Sequence, residues 1–113
     1  MSFQIEAQYH VVDGREVVLS VRIGNSQIGG SVALLDGAEI ARGSIERLML
    51  DDGHILRGRK LEIRTVVADV NPSTNNLLVT YVLEGGTVDQ EFKTWGTVES
   101  DQAARHIAFF SFV

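Results

Sequence analysis

Phe3-Gln4-Ile5-Glu6-Ala7-Gln8-Tyr9-His10-Val11 alternates without a break, with Phe3, Ile5, Ala7, Tyr9 and Val11 on one face and Gln4, Glu6, Gln8 and His10 on the other. Successive side chains of an extended chain point to opposite sides, so this is the pattern of a half-buried β-strand. Asp13-Gly14 follows, a step that readily supplies the positive φ of a tight turn. Glu16 to Ile23 then resumes the alternation, with Val17, Leu19, Val21 and Ile23 sharing a face and only Val18 out of step. Together the two stretches predict a hairpin of the first two strands.

The same punctuation recurs downstream. Gly24-Asn25-Ser26 and Gly29-Gly30 interrupt the chain, Ser31 to Leu35 reads as a short strand, and Asp36-Gly37 as a second turn. Between Glu39 and Leu50 the residues could form one helical turn, but the flanking Asp-Gly steps favour a strand, closed by a third turn at Asp51-Asp52-Gly53. Lys60 to Val70 is rich in β-branched residues (Ile63, Thr65, Val66, Val67, Val70) and predicts a central strand covered on both faces toward its end. Asn71 to Asn76 holds the only proline and is the clearest loop. Leu77 to Leu83 is the next strand. Val88 to Val98 alternates loosely around Phe92 and Trp95, with a bend expected at Gly96, and Arg105 to Val113 is an apolar final strand.

About eight short strands at fairly regular spacing, with no helix of ordinary length, predict one all-β domain spanning residues 1–113. The favoured architecture is an antiparallel β-sandwich, broadly immunoglobulin-like but without the Cys-Trp-Cys signature. A small closed β-barrel is the alternative, because either arrangement buries one face of every strand.

Composition bounds the function classes. The chain has no cysteine, which excludes disulfides, thiolate metal sites and a cysteine nucleophile. Its formal net charge of −5 opposes a general nucleic-acid role. The N-terminal residues lack a basic region followed by an apolar stretch, and no apolar run is long enough to span a bilayer, so a complete chain would be expected in the cytoplasm, away from membranes. Six of the ten basic residues (Arg42, Arg47, Arg57, Arg59, Lys60, Arg64) lie between positions 42 and 64, among Glu46, Asp51, Asp52 and Glu62. That segment forms either a local basic patch or a set of solvated edges.

The apparent catalytic motifs are incomplete. Gly53-His54-Ile55-Leu56-Arg57-Gly58-Arg59-Lys60 approaches a phosphate-binding P-loop, but Arg stands where the motif needs Lys and Lys where it needs a hydroxyl, with no helix to follow. Gly29-Gly30-Ser31-Val32-Ala33 resembles a nucleophile elbow but leads into a strand. His10, His54 and His106 lack the close spacing of zinc ligands, although pairing of the first and last strands would make His10 and His106 neighbours. Asp51-Asp52-Gly53 lacks the alternating oxygen ligands of a calcium loop. Ligands from separate turns would have to come from Asp13, Asp36, Asp51, Asp52 or Asp69, and no spacing selects them. No metal or cofactor is therefore assigned.

Three functions remain. The first is a non-enzymatic protein-interaction module, binding a partner or its own copy as a homodimer, with Arg57, Arg59, Lys60, Trp95 and the Asn71–Asn76 loop as candidate contacts. The second is a small-molecule binder with an apolar cavity lined by Tyr9, Tyr81, Phe92 and Phe110. The third is an enzyme with a site at His54 and Asp52, since a nearby carboxylate raises histidine basicity.

Overall fold

A computed structural model of the chain describes residues 2–99 and 102–113; Met1, Ser100 and Asp101 lie outside the described residues. It contains β1 (Ser2–Tyr9), β2 (Glu16–Ile23), β3 (Ile28–Leu35), β4 (Ala38–Gly43), β5 (Leu48–Asp52), α1 (Gly53–Leu56), β6 (Lys60–Ala68), β7 (Asn76–Glu84), β8 (Gln90–Thr97) and β9 (Ala103–Phe112). A five-stranded sheet, ordered β1-β9-β6-β3-β4, packs on a four-stranded one, ordered β5-β2-β7-β8. The fold is a sandwich and is not closed into a barrel. Nine strands are present among the described residues, one more than the sequence suggests, because the stretch from Glu39 to Leu50 divides into β4 and β5.

The expected hairpin of the first two strands does not form. β1 lies in the five-stranded sheet, parallel to β9, with Phe3 opposite His106 and Tyr9 opposite Phe112. β2 lies in the other sheet, antiparallel to β5 and β7. Both alternations are correct, but the inward rows face each other across the core instead of lying side by side. Asp13-Gly14 turns the chain between layers, with Gly14 at φ 83°. Only Asp36-Gly37 makes a hairpin in the expected way, joining β3 to β4 with φ 49° and 84°, both in the left-handed region of a primed turn. The third Asp-Gly step is not a simple turn. Asp52 caps α1 by accepting the His54 N–H at 2.8 Å, and the single helical turn buries Leu56 at one pole of the sandwich.

The core lies between the sheets. Tyr9, Val17, Leu19, Ile63, Leu77, Val79, Tyr81, Phe110 and Phe112 are all buried there, and large side chains of this kind contribute about 1.5–3 kcal/mol each when fully buried. Gly96 is not a bend but a regular position of β8, opposite Leu77. A Cβ there would collide with the Phe3 ring, which packs over it. β6 is central, as expected, yet only its inner face is covered. Leu61, Ile63, Thr65 and Val67 are buried while Arg64 and Val66 are exposed on the outer face of the sheet. At the other pole, Gln27 fixes the loop after β6. Its Oε1 accepts the N–H groups of Val70 and Asn71 at 2.7 and 2.9 Å, and its Nε2 donates to Asp69 at 3.0 Å.

Candidate functional site

The candidate contacts do not form one surface. Arg57, Arg59 and Lys60 lie at the α1 pole, where Arg57 pairs with Asp13 and Arg59 donates to Asp36 at 2.7 Å. Asp36 also accepts the Lys60 N–H at 2.9 Å. These arginine bonds hold the Asp13 and Asp36 carboxyls below the usual carboxylate range. Trp95 sits on β8 opposite Leu78, toward the other pole, with 73% of its surface exposed. The Asn71–Asn76 loop lies at the Trp95 pole, where Thr97 donates to Asn76 at 2.9 Å.

The pair proposed for acid–base chemistry is not assembled. The His54 side chain is 76% exposed, and the carboxylate nearest its ring is Asp13, 3.8 Å from Nδ1, whereas Asp52 accepts only its backbone N–H. Tyr9, Tyr81, Phe92 and Phe110 fill space instead of lining it. The Phe110 ring lies 4.9 Å from Phe92 and 6.0 Å edge-on from Tyr81, and the Tyr9 hydroxyl lies 2.7 Å from the carbonyl of Val88, beyond β7, to which it donates, and 3.1 Å from that of Leu83 in β7. β1 and β9 do pair, but the parallel register puts His106 beside Phe3, while His10 follows Tyr9 at the far end. Among the described residues, no group of three or more His, Asp or Glu could hold a metal ion.

What the fold does bring together is a set of arginines distant in sequence. On the outer face of the five-stranded sheet, Arg42, Val32, Arg64 and Ile107 form one register row across β4, β3, β6 and β9, and Gly30, Val66 and Arg105 form the next across β3, β6 and β9. These side chains, with Glu62 and Phe109, line a groove of about 720 Å³. Gly30 leaves a hollow in the outer row it shares with Val66 and Arg105, since a Cβ there would meet nothing within 4 Å. Three guanidinium groups and one carboxylate line it, a positive excess on a chain of formal charge −5. Arg42 uses Nη2 on Glu39 at 2.6 Å, and Arg64 uses Nε on Glu62. Each guanidinium has five N–H donors, so most remain open to a ligand.

Behind the groove, on the inner face of the same sheet, runs a neutral polar seam. Ser31 and Thr65 hydroxyls lie 2.7 Å apart, Tyr81 and Thr94 3.0 Å apart, and Thr94 Oγ1 lies 2.8 Å from His106 Nδ1. Burial pushes the Tyr81 phenol up to about 12 and the His106 imidazole down to about 4. His106 is fully buried against Phe3, and its Nε2 has no hydrogen-bond partner among the described residues. The seam joins the two sheets through hydroxyls that hydrogen-bond one another and His106, which gives it a structural role.

Comparison with protein-family models, curated proteins and solved structures finds no match to this chain. Residue density along the sequence directs attention to Arg57, Arg59 and Lys60 and misses Arg105 altogether. A usable signal was present in parity. Arg105, Ile107 and Phe109 share one face of β9, and Arg64 and Val66 share one face of β6, so both strands place apolar and cationic groups on the side away from the core.

Proposed function

We propose that this chain is a non-enzymatic protein-interaction module that presents the outer face of its five-stranded sheet to a partner. The observation that carries the reading is the groove itself, in which Val32, Val66, Ile107 and Phe109 provide an apolar floor and Arg42, Arg64 and Arg105 stand around it. Interaction surfaces combine such apolar centres with arginine, which is enriched there. The partner is a different protein, because a two-fold copy docked face to face would set arginines against arginines. Self-association would have to use another surface, such as the strands that end the sheets, β1 and β4 in one and β5 and β8 in the other. Among the described residues no helix is long and apolar enough to cross a membrane, and the cytoplasm is the proposed setting.

The test uses Gly30→Val together with a photo-crosslinking residue in place of Ile107. Gly30 has an ordinary backbone conformation and open space above it, so valine fills the groove without disturbing the sheet. The expected result is one protein crosslinked through position 107, lost in the Gly30→Val background, and not captured by a crosslinker at Thr80 on the outer face of the other sheet. Equal capture from both faces, or capture indifferent to Gly30→Val, would remove the reading.

A further inference from the structure

Resting on that reading, we infer that the groove's occupant is an extended acidic segment of the partner, with carboxylates at alternate residues that bridge Arg42, Arg64 and Arg105. The argument begins with spacing. Neighbouring strands lie about 4.8 Å apart, and residues two apart along a strand are separated by roughly 6.6 Å. Arg42 and Arg64 occupy one register row two strands apart, so their backbones are separated by roughly 9–10 Å. Arg64 pairs with Ile107, which is two residues from Arg105 on the adjacent strand, giving roughly 8 Å. An extended peptide places its alternate side chains on one side at roughly 6.6 Å, and flexible arginine side chains close the difference. A helical ligand would put its same-face residues on a different spacing, three and four apart in sequence.

Charge identifies the chemistry of the ligand. A guanidinium presents a planar fork that matches a carboxylate with two parallel hydrogen bonds. Arg105 has no ion-pair partner among the described residues, and Arg42 and Arg64 each engage a carboxylate of their own chain through one nitrogen. Glu39 and Glu62 are thus in place as intramolecular counterparts that a partner's carboxylates would supplement or displace. Val32, between Arg42 and Arg64, and Val66 and Ile107, between Arg64 and Arg105, favour apolar residues among the acidic ones. A bilayer is a poorer fit. Anionic membranes are recruited by clusters of about 4–8 basic residues, whereas this groove is recessed and holds Glu62 among three arginines.

The test is fluorescence anisotropy with a labelled peptide of alternating Glu and Val, and the same peptide with Gln for Glu, on the whole chain. The Glu peptide is expected to bind at least about tenfold more tightly than its Gln counterpart and to weaken as salt rises. Arg105→Gln and Arg64→Gln are each expected to lower its affinity by roughly three- to tenfold, while Arg57→Gln, at the α1 pole, leaves it unchanged. Equal affinity for both peptides, or indifference to Arg105→Gln, overturns the inference, as does binding to phosphatidylserine vesicles that the Glu peptide fails to displace. If the crosslinker at position 107 still captures a partner protein that the Glu peptide cannot compete away, this inference falls and the interaction reading stands. If capture fails as well, both fall.

Discussion

The two faces of the five-stranded sheet use adjacent residues for opposite ends. His106 and Arg105 are neighbours on β9, one fully buried and neutral against Thr94 and Phe3, the other exposed at the rim of a groove. On the inner face apolar side chains interlock, and the hydroxyls of Ser31, Thr65, Tyr81 and Thr94 have partners. The outer face has the same strands beneath it but leaves guanidinium donors and apolar surface open. A third region clarifies the difference. At the α1 pole Arg57 and Arg59 are engaged by Asp13 and Asp36 across turns, so cations of the same kind serve there to pin the chain ends of strands. Arg42 and Arg64 also have carboxylate partners, in Glu39 and Glu62, and what sets the groove apart is that its paired guanidinium groups stay more exposed than those of Arg57 and Arg59 and that Arg105 beside them has no ion-pair partner among the described residues.

If the inner face governs stability and the outer face binding, acid should separate them, with the largest effect expected. The folded-state pKa of His106 is depressed to about 4 by burial, from an ordinary value of 6.5, and the groups around it (Thr94, the Tyr81 hydroxyl behind Thr94, Phe3) are neutral. A depressed histidine pKa means that the folded state binds fewer protons than the unfolded one. Stability is therefore fully present above pH 6.5 and falls as pH drops from 6.5 towards 4, by about 3 kcal/mol in all. Urea denaturation across this range should show that loss, and His106→Asn, which keeps a hydrogen-bonding group near Thr94 but cannot titrate, should abolish it. The Asp13 and Asp36 carboxyls contribute in a separate window, since their lowered pKa values give stability that disappears only as pH falls below about 3.8. A flat profile between pH 6.5 and 4 in the unmodified protein would show that the inner face admits a charged imidazole.

Much of the inner face was legible in the sequence, because burial imposes a period and the period survives in the residues. Phe3, Ile5, Ala7 and Tyr9 do point inward, as do Val17, Leu19, Val21 and Ile23. Pairing was not legible. A turn of the Asp13-Gly14 type reverses the chain equally well within a sheet or between sheets, and what decides between them here is the arrival of β9, about a hundred residues later, to pair with β1. The site was hidden for the same reason. Arg42, Arg64 and Arg105 become neighbours only once β4, β3, β6 and β9 are in register, whereas Arg57, Arg59 and Lys60, conspicuous by adjacency, lie beside the aspartates of local turns. His106 reads from sequence as a polar residue opening a strand; only the placement of Thr94 on the facing sheet makes its burial tolerable.

Gly30→Val sharpens the comparison at a smaller energy. Glycine inside a strand is destabilising by roughly 0.5–1 kcal/mol relative to residues with a side chain, and Gly30 lies in β3 opposite Val66 with no positive φ to satisfy. The substitution should raise the urea midpoint by about that amount while removing partner binding. A loss of binding accompanied by a gain in stability cannot be ascribed to misfolding, which makes this variant more informative than any that weakens both. Arg57→Ala provides the converse and the smallest effect. Surface ion pairs contribute little, so removing the partner of Asp13 should lower Tm slightly and leave binding as it was, because the guanidinium there is committed to the chain's own turn. Were Arg57→Ala to reduce partner binding as much as Arg105→Gln does, the distinction between engaged and open arginines would fail, and the interacting surface would have to extend from the groove to the α1 pole.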